Sequence, residues 1–287
     1  MLARTQNGQV VEALRARWPG VEVRIITITS TGDTIQDRPL YEFGGKGLFT
    51  KEIEQALLDG EIDIAVHSLK DLPVTMPLVD VSSLAFISPL REDPRDLLVS
   101  RKAGRIEDLP QGAKVGTGSL RRRCQVLEVR PDLQIEPIRG NIDTRLRKLR
   151  EGQYDAVILA LAGVKRAGLF DEADMWPIAL ETMTPAAGQA ALALQFRGDD
   201  ERSRALLRPM EDEATMMCVA VEREVVRQLG GDCHSPIGAY AAMDGDEINL
   251  HVAVGGKDGD LPVKRAQGIG ARRDWRELVA RVISELG

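Results

Sequence analysis

The stretch Asp63-Ile64-Ala65-Val66-His67-Ser68-Leu69-Lys70-Asp71-Leu72-Pro73 joins an apolar run to a cluster of polar side chains. The apolar run ends abruptly, and Pro73 stops any regular structure that follows. This pattern is typical of the carboxyl end of a buried parallel strand, where open α/β sheets bind their ligands. Asp71, beside Lys70, is therefore a candidate for holding a cationic substrate or intermediate. The alternative is that Ser68 or Asp71 only caps the next turn.

The composition is that of an ordinary globular protein with few aromatic residues. Of the 287 residues, 43% are apolar and only 4% aromatic, which predicts an aliphatic core divided between two or three domains. The net charge of -6 argues against nucleic-acid binding. No apolar run approaches the roughly 20 residues of a membrane span, and the N-terminus lacks the pattern of a signal peptide. Three widely spaced cysteines indicate free thiols, so we predict a cytoplasmic protein.

Three patterns precede the opening stretch. Residues 2–17 predict an amphipathic helix, and the alternating residues 21–29 predict a strand. Phe43-Gly44-Gly45-Lys46-Gly47-Leu48-Phe49 is a glycine-rich turn before another predicted helix. Backbone N–H groups in such a turn can approach a ligand closely, and Lys46 can meet an anion. Glycine-rich turns before helices are common, however, and this spacing is not that of a nucleotide-phosphate loop, so the turn alone is a weak signal.

A basic region follows in the middle of the chain. Residues 121–150 hold nine Arg or Lys against four Asp or Glu. Two strand–turn–helix units, residues 115–123 and 135–145, place hydroxyl and guanidinium groups where free helical N–H groups can bind carboxylate or phosphate. The junction residues predicted to bind an anion are Thr117, Ser119, Arg121, Arg122, Arg139 and Arg145. The alternative, a solvated helix face, suits the basic residues further along the second helix.

A glycine-framed loop, Gly230-Gly231-Asp232-Cys233-His234-Ser235-Pro236, carries the cysteine that lies outside any apolar periodic pattern. Cys233 is therefore predicted to be an exposed, reactive thiol, whereas Cys124 and Cys218 lie on predicted helices and suit buried positions. One Cys, an adjacent His and the distant His251 do not form a metal ligand set, so no metal is predicted. A long helix before this loop, and three short strands with a helix after it, predict a small α+β unit.

Seven strings in this order resemble the porphobilinogen deaminase (hydroxymethylbilane synthase) family: GGKGLFTKEIE, DIAVHSLKDLP, REDPRD, VGTGSLRRRCQ, RGNIDTRL, DAVILALAGVKR and GGDCHSPIGAY. The resemblance covers nearly the whole chain. It implies an α/β fold with two periplasmic-binding-protein-like domains, joined by two chain crossings, and a third small α+β domain. The implied boundaries are residues 1–90 plus 190–208 for domain 1, 95–183 for domain 2 and 212–287 for domain 3.

The family begins with a strand that ends in Arg and Ser, and this strand has no counterpart before Met1. We therefore expect the natural protein to be longer, and we expect the activity of the chain as written to depend on that strand.

The resemblance also implies an activity and a cofactor. The family joins four porphobilinogens head to tail with loss of ammonia, and water releases hydroxymethylbilane. A dipyrromethane cofactor is held by a thioether to a loop cysteine, which corresponds to Cys233. Asp71 matches the catalytic aspartate, whose carboxylate would stabilise the cationic azafulvene. The remaining matched cofactor- and substrate-binding positions are Lys46, Ser68, Lys70, Thr117, Ser119, Arg121, Arg122, Arg139, Asn141, Arg145, Arg166 and Gln189, whose charged members would bind acetate and propionate groups.

The expected partners follow from this activity. They are the substrate porphobilinogen and, after the reaction, uroporphyrinogen-III synthase as the receiver of the product; the protein is expected to be a monomer. Two alternatives stay open. One is an inactive truncated relative, and the other is a non-catalytic anion-binding protein of the periplasmic-binding type. The second alternative gives Cys233 and the third unit no role.

Overall fold

The computed structural model describes residues 2–30, 50–75, 79–232 and 234–287. Its helices are α1 (Leu2–Arg17), α2 (Lys51–Leu58), α3 (Leu120–Val129), α4 (Ile142–Arg150), α5 (Leu161–Arg166), α6 (Glu201–Leu207), α7 (Glu213–Gln228) and α8 (Trp275–Ser284). Its strands are β1 (Ala65–Ser68), β2 (Leu84–Ile87), β3 (Asp96–Val99), β4 (Lys114–Gly116), β5 (Gln134–Glu136), β6 (Ala156–Ala160), β7 (Met175–Pro177), β8 (Leu192–Arg197), β9 (Ile237–Asp244), β10 (Glu247–Val254) and β11 (Lys264–Ala271). Single 3-10 turns follow β1, α6 and β11.

The described strands form three sheets. Their orders are β1-β8-β2, β5-β4-β6-β3-β7 and β11-β10-β9. The chain leaves the first sheet after β2, completes the second and returns to the first with β8. Two segments, residues 88–95 and 178–191, therefore cross between the first two sheets, as the resemblance implies. We refer to the first sheet with α1, α2 and α6 as unit 1, the second with α3–α5 as unit 2, and the third with α7 and α8 as unit 3.

The predicted α/β fold with a small α+β unit is thus confirmed, and the core is aliphatic as expected. Leu97, Leu98 and Ile158 are fully buried in unit 2, on alternating faces of its sheet. Phe196 is the one aromatic residue among the largest fully buried side chains of the described residues. The predicted domain boundaries stay predictions. No helix within the described ranges is both long and apolar enough to span a membrane.

Two strand predictions were wrong in part. Residues 21–29 are not paired as a strand with any described segment, and Ile25 and Ile26 are exposed. The opening stretch does contain a strand, but β1 pairs antiparallel with β8 rather than lying in a parallel sheet. Both errors have one physical cause. Apolar runs and the alternation of apolar with polar residues indicate which side chains suit burial, but they do not indicate which strand pairs with which or whether the pair is parallel.

Helix α7 packs on two units. Its Val219 contacts Leu69 and Leu72 of unit 1 in one apolar cluster. Val221 and Val225 lie instead in the core of unit 3. This helix therefore connects the end of β1 to the unit that carries the cysteine loop.

Candidate functional site

The turn that carries Asp71 is held by buried leucines on both sides. Strand β1 ends at Ser68, and Leu69–Asp71 forms a 3-10 turn. Leu69 and Leu72 are buried in the core, and the Leu69 N–H donates to the Ala191 carbonyl at 3.0 Å. Asp71 is left exposed. Because apolar burial fixes the backbone on either side, the carboxylate has a defined position on the surface.

The capping alternative finds no support at this turn. Ser68 stands at the position before the 3-10 turn but makes no capping hydrogen bond with its side chain. Its hydroxyl instead accepts a hydrogen bond from Gln6 Nε2 at 2.9 Å. Within the described residues no hydrogen bond to the Asp71 carboxylate is found. Asp71 is therefore available to a ligand.

The charge environment of Asp71 comes from two units. Although the residue is exposed, protein packed around the carboxylate desolvates it and raises its pKa. The neighbouring Lys70, and after it His234, act in the opposite direction on the pKa of Asp71. His234 follows directly after Cys233 in the sequence and is near enough to Asp71 to influence its pKa. The cysteine loop of unit 3 therefore lies on the same side of the molecule as Asp71.

Lys70 connects the Asp71 turn to the crossing segments. Its Nζ lies 3.4 Å from Gln189 Oε1, and the buried Gln189 donates from Nε2 to the Pro94 carbonyl at 2.7 Å. Desolvation, with the nearby charge of Arg122, lowers the pKa of Lys70 to about 8, whereas Asp71 and Asp96 act in the opposite direction. Lys70 is therefore a cation at neutral pH that loses its charge in mildly alkaline solution.

The first two arginines of α3 are already paired inside the protein. Arg121 Nη1 donates to Asp96 Oδ2 at 2.7 Å, and Arg122 Nε donates to Asp96 Oδ1 at 2.9 Å. Asp96 is fully buried at the start of β3. Burial alone would raise the pKa of Asp96, but the two guanidinium groups hold it well below its usual range. Gln189 Nε2 also donates to Asp96, at 3.1 Å, so this carboxylate connects the arginines to Lys70.

Asp96 is a site residue that the sequence reasoning missed. The string REDPRD, residues 91–96, contributes to the family resemblance, but no site role is predicted for its acidic residues. The signal that could have found it is an acidic residue immediately before the apolar run Leu97-Leu98-Val99. A carboxylate at the start of a buried strand needs a cationic partner, although the sequence alone does not show that Arg121 and Arg122 supply it.

Three polar residues predicted to bind an anion have local roles in the structure. The Thr117 hydroxyl accepts from the Ser119 N–H at 3.2 Å, and the Ser119 hydroxyl caps α3 by accepting from the Arg122 N–H at 3.4 Å. Asn141 Oδ1 caps α4 by accepting from the Thr144 N–H at 2.9 Å. These caps orient the two helix starts.

Arg139 and Arg145 lie at the second helix start and are half-buried. Desolvation, followed by the charges of Arg122 and Arg139, lowers the pKa of Arg145 to about 10. Arg145 Nε donates to the Gly140 carbonyl at 2.8 Å. Position 140 requires glycine, because its φ is 110° and a Cβ would collide with the Thr144 side chain. Mutual repulsion within this arginine cluster is a driving force for binding an anion.

Arg166 reaches from α5 to the second crossing segment. Its Nη2 donates to the Ala190 carbonyl at 2.7 Å, and desolvation lowers its pKa. Lys46 and Cys233, the two remaining predicted residues, lie outside the described residues. The structure therefore brings Lys70, Asp71, Arg121, Arg122 and Gln189 into one network between units 1 and 2, with Arg139 and Arg145 electrostatically coupled to it through Arg122.

These charged side chains, with the buried Asp96 at their centre and the exposed Asp71 beside Lys70, lie at the junction of two units of an α/β protein. Two family models divide the chain: "Porphobilinogen deaminase, dipyromethane cofactor binding domain" matches residues 1–205, and "Porphobilinogen deaminase, C-terminal domain" matches residues 216–287. The chain belongs to the porphobilinogen deaminase family.

Curated relatives agree with this assignment. The porphobilinogen deaminase of Roseiflexus sp. (strain RS-1) is 48% identical over 91% of this chain and 84% of its own length. That of Roseiflexus castenholzii is 46% identical over 99% of this chain and 92% of the relative. The porphobilinogen deaminase of Brevibacillus brevis is 48% identical over 90% of this chain and 82% of its own length. Among solved structures, a nutrient binding protein from Burkholderia cenocepacia aligns with 78% of this chain and 92% of its own, at 14% identity and a TM-score of 0.43.

Proposed function

We propose that this protein is a porphobilinogen deaminase, a transferase that joins four porphobilinogens head to tail into hydroxymethylbilane with release of ammonia. The observation that carries the proposal is the exposed Asp71 carboxylate next to Lys70, at the junction where Gln189 joins Lys70 of unit 1 to Asp96 and the arginines of unit 2. The family assignment favours this activity over a non-catalytic anion-binding protein.

The residues present suit a dipyrromethane cofactor. Each pyrrole ring of such a group carries carboxylate side chains, which need cationic partners. Lys70, Arg139 and Arg145 form no ion pair with any carboxylate in the described part of the chain, so their charges are available. When bound through Cys233, the cofactor supplies an anchored pyrrole to which the first substrate is joined.

The protein's own groups act on the substrate as follows. The carbon–nitrogen bond of the protonated aminomethyl group of porphobilinogen breaks, ammonia leaves with the bonding electrons, and positive charge spreads over the ring and its methylene carbon. Asp71 Oδ stabilises this charge and accepts a hydrogen bond from the pyrrole N–H. The free α-carbon of the anchored pyrrole would accept the methylene carbon, and the proton displaced from that α-carbon would pass to water. Lys70, Arg139 and Arg145 hold the carboxylates and keep the two carbons in reach.

The remaining roles belong to the same proposal. Arg121, Arg122 and Gln189 position Lys70, while Ser68, Thr117, Ser119 and Asn141 shape the turns around it.

Units 1 to 3 correspond to three domains with boundaries at residues 1–90 plus 190–208, 95–183 and 212–287. The protein acts as a cytoplasmic monomer and passes its product to uroporphyrinogen-III synthase. In support of a reducing compartment, Cys124 and Cys218 are buried free thiols.

The intact mass of the purified protein tests the proposal. Protein made by cells that supply porphobilinogen is expected to carry the added mass of two linked pyrroles. Cys233→Ser should lack this mass, because serine cannot form the thioether. Cys124→Ala is the matched control and should keep it, because Cys124 is buried beneath Gly255 and not in the loop. An unmodified wild-type mass would overturn the proposal.

The pKa of Lys70 predicts how substrate binding depends on pH. Below pH 8 Lys70 is charged and binds a substrate carboxylate; above it the charge is lost. We therefore expect the KM for porphobilinogen to rise about tenfold from about pH 7 to about pH 9, which corresponds to one charge-assisted contact. Lys70→Arg should flatten this rise, because arginine stays charged throughout. Lys70→Met should have, at every pH, the high KM that wild type has at about pH 9. If its KM at neutral pH equals that of wild type, Lys70 does not bind the substrate.

A further inference from the structure

We propose that Arg223 is a positioning residue that holds the backbone of the Asp71 turn and couples it to the cysteine loop through helix α7. This inference rests on the proposed function, since it takes Asp71 as the group that stabilises the cation. Among the described residues, Arg223 makes no hydrogen bond or ion pair with Asp71 or with a residue predicted to bind the substrate. It acts through the carbonyls of Leu72 and Pro73, the next two residues after Asp71.

The contacts of Arg223 are directed at this turn. Its Nη1 donates to the Leu72 carbonyl at 3.1 Å, and its Nη2 donates to the Pro73 carbonyl at 2.8 Å. The guanidinium also lies 5.9 Å from the centre of the Phe86 ring. It forms no ion pair with a carboxylate among the described residues. Desolvation lowers the pKa of Arg223 to about 10, so it remains a cation at neutral pH.

The two carbonyls are consecutive, and a planar guanidinium fork can donate to both at once. Lys at this position would supply a single ammonium group and could not span both acceptors with the same geometry. The pair of hydrogen bonds therefore fixes the Leu72–Pro73 and Pro73–Val74 peptide groups, which begin one residue beyond Asp71 and limit how far its turn can move.

Helix α7 is fixed at its other contacts. Val219 packs on Leu69 and Leu72, so the same helix supports the turn from the apolar side. Glu222, the neighbour of Arg223, is fully buried and accepts from the Ala241 N–H of β9 at 2.9 Å and the Gly188 N–H at 2.7 Å. Arg223 thus projects from a rigid base that is shared by units 1 and 3.

A second contact joins the same two regions. Just past the end of α7 the chain enters the glycine-framed loop, where the Gly231 carbonyl accepts from Thr75 Oγ1 at 3.0 Å. Thr75 lies four residues after Asp71 in the chain. The segment after Asp71 is therefore joined to α7 through Arg223 and to the loop that follows α7 through Thr75, so a displacement of the helix and loop is transmitted to the turn.

Arg223→Met tests this inference, since it removes both donors and keeps a long apolar stem. We expect kcat per cofactor-bearing molecule to fall about 10- to 100-fold, because a small displacement of Asp71 affects the transition state, while KM changes less than about twofold. Arg223→Lys should recover part of the loss. Arg227→Met is the matched control: Arg227 lies one turn further along α7, is exposed and pairs with Glu224. It should leave kcat unchanged.

Amide hydrogen exchange gives a readout that needs no activity. In Arg223→Met the amides of residues 69–75 should exchange faster than in wild type, and in Arg227→Met they should not. Thr75→Val should likewise speed exchange in residues 229–235, and Thr75→Ser, which keeps the hydroxyl, should restore wild-type exchange. If Arg223→Met does not fold, Arg223→Lys, which keeps the charge, takes its place in both measurements.

The outcomes separate the inference from the proposed function. If amide exchange in residues 69–75 of Arg223→Met is the same as in wild type, Arg223 does not hold the turn. If exchange is faster but kcat is unchanged, Arg223 holds the turn without positioning Asp71, and the inference is overturned. A loss of kcat accompanied by an equal rise in KM would show a general structural defect and would also overturn it. Wild-type protein without cofactor or product would refute the proposed function, while the exchange measurement would still decide whether Arg223 holds the turn.

Discussion

Asp71→Ala is expected to lower kcat by about 10²–10³-fold or more, the loss typical of removing one preorganised group that stabilises charge in a transition state. The reason is the position of the carboxylate. It is exposed, lies next to Lys70, and is found with no hydrogen-bond partner in the described residues. The measurement is the single-turnover rate of porphobilinogen consumption. It should be expressed per molecule that carries the cofactor mass, so that poor cofactor assembly is not mistaken for slow chemistry.

Two further substitutions separate charge from shape. Asp71→Asn keeps the size of the side chain but not its charge, and we expect its kcat to be nearly as low as that of Asp71→Ala. Asp71→Glu keeps the charge and displaces it by one methylene, so partial activity should remain, about 10-fold below wild type. An asparagine variant as active as wild type would show that the negative charge is not needed.

Stability provides the control for this series. Desolvation raises the pKa of Asp71, which means that the folded protein disfavours its charged form. Asp71→Asn is therefore expected to leave the melting temperature unchanged or slightly raised. A marked loss of stability would indicate that Asp71 is a structural residue, and the kinetic loss would then need another explanation.

The sequence predicted much of the fold because that part depends on local periodicity. Residues 2–17 form the predicted helix, and the apolar face of α7 with Val221 and Val225 lies in the core of unit 3 as expected. The helix starts at Ser119 and Asn141 were also recognisable, because N-cap chemistry involves residues only three positions apart. The α/β class followed from these elements and from the resemblance.

The sequence could not show how the site is connected. The partners Asp96 and Arg121 are 25 residues apart, and Arg223 lies 150 or more residues from the carbonyls that it holds. An arginine at a helix start looks the same in sequence whether it binds a ligand or an internal carboxylate. Only the fold distinguishes them, and it places Arg121 and Arg122 in the interior, with 3% and 6% of their surface exposed. Their predicted contact with an anion is thus replaced by a supporting role in our proposal.

Asp96→Asn is expected to cause the largest loss of stability, about 3–5 kcal/mol in the free energy of unfolding. The substitution keeps the shape of the side chain but leaves two buried guanidinium groups without a counter-charge. Urea unfolding at neutral pH measures the loss. Asp132→Asn is the matched control, because Asp132 also pairs with an arginine, Arg130, but at the protein surface. The control should unfold almost as wild type does. Equal stability of Asp96→Asn and wild type would contradict the network.

The pH dependence of this loss follows from the direction of the pKa shift. The pKa of Asp96 is lower in the folded protein than in the unfolded chain, so the unfolded chain takes up a proton first as the pH falls. The stabilisation is fully present above the ordinary carboxyl pKa of about 4 and is lost progressively below it. The gap in unfolding free energy between wild type and Asp96→Asn should therefore be constant near neutral pH and narrow in acid.

The same substitution also tests the connection to the site. The charge of Asp96 supports the protonated form of Lys70, and Gln189 bonds to both residues. Without that charge the pKa of Lys70 should fall below about 8. In Asp96→Asn the rise of KM with pH should begin at a lower pH than in wild type. A variant that is less stable but keeps the wild-type pH profile would show that Asp96 supports the fold alone, whereas a shifted profile would show that a buried carboxylate sets the charge of the cation beside Asp71.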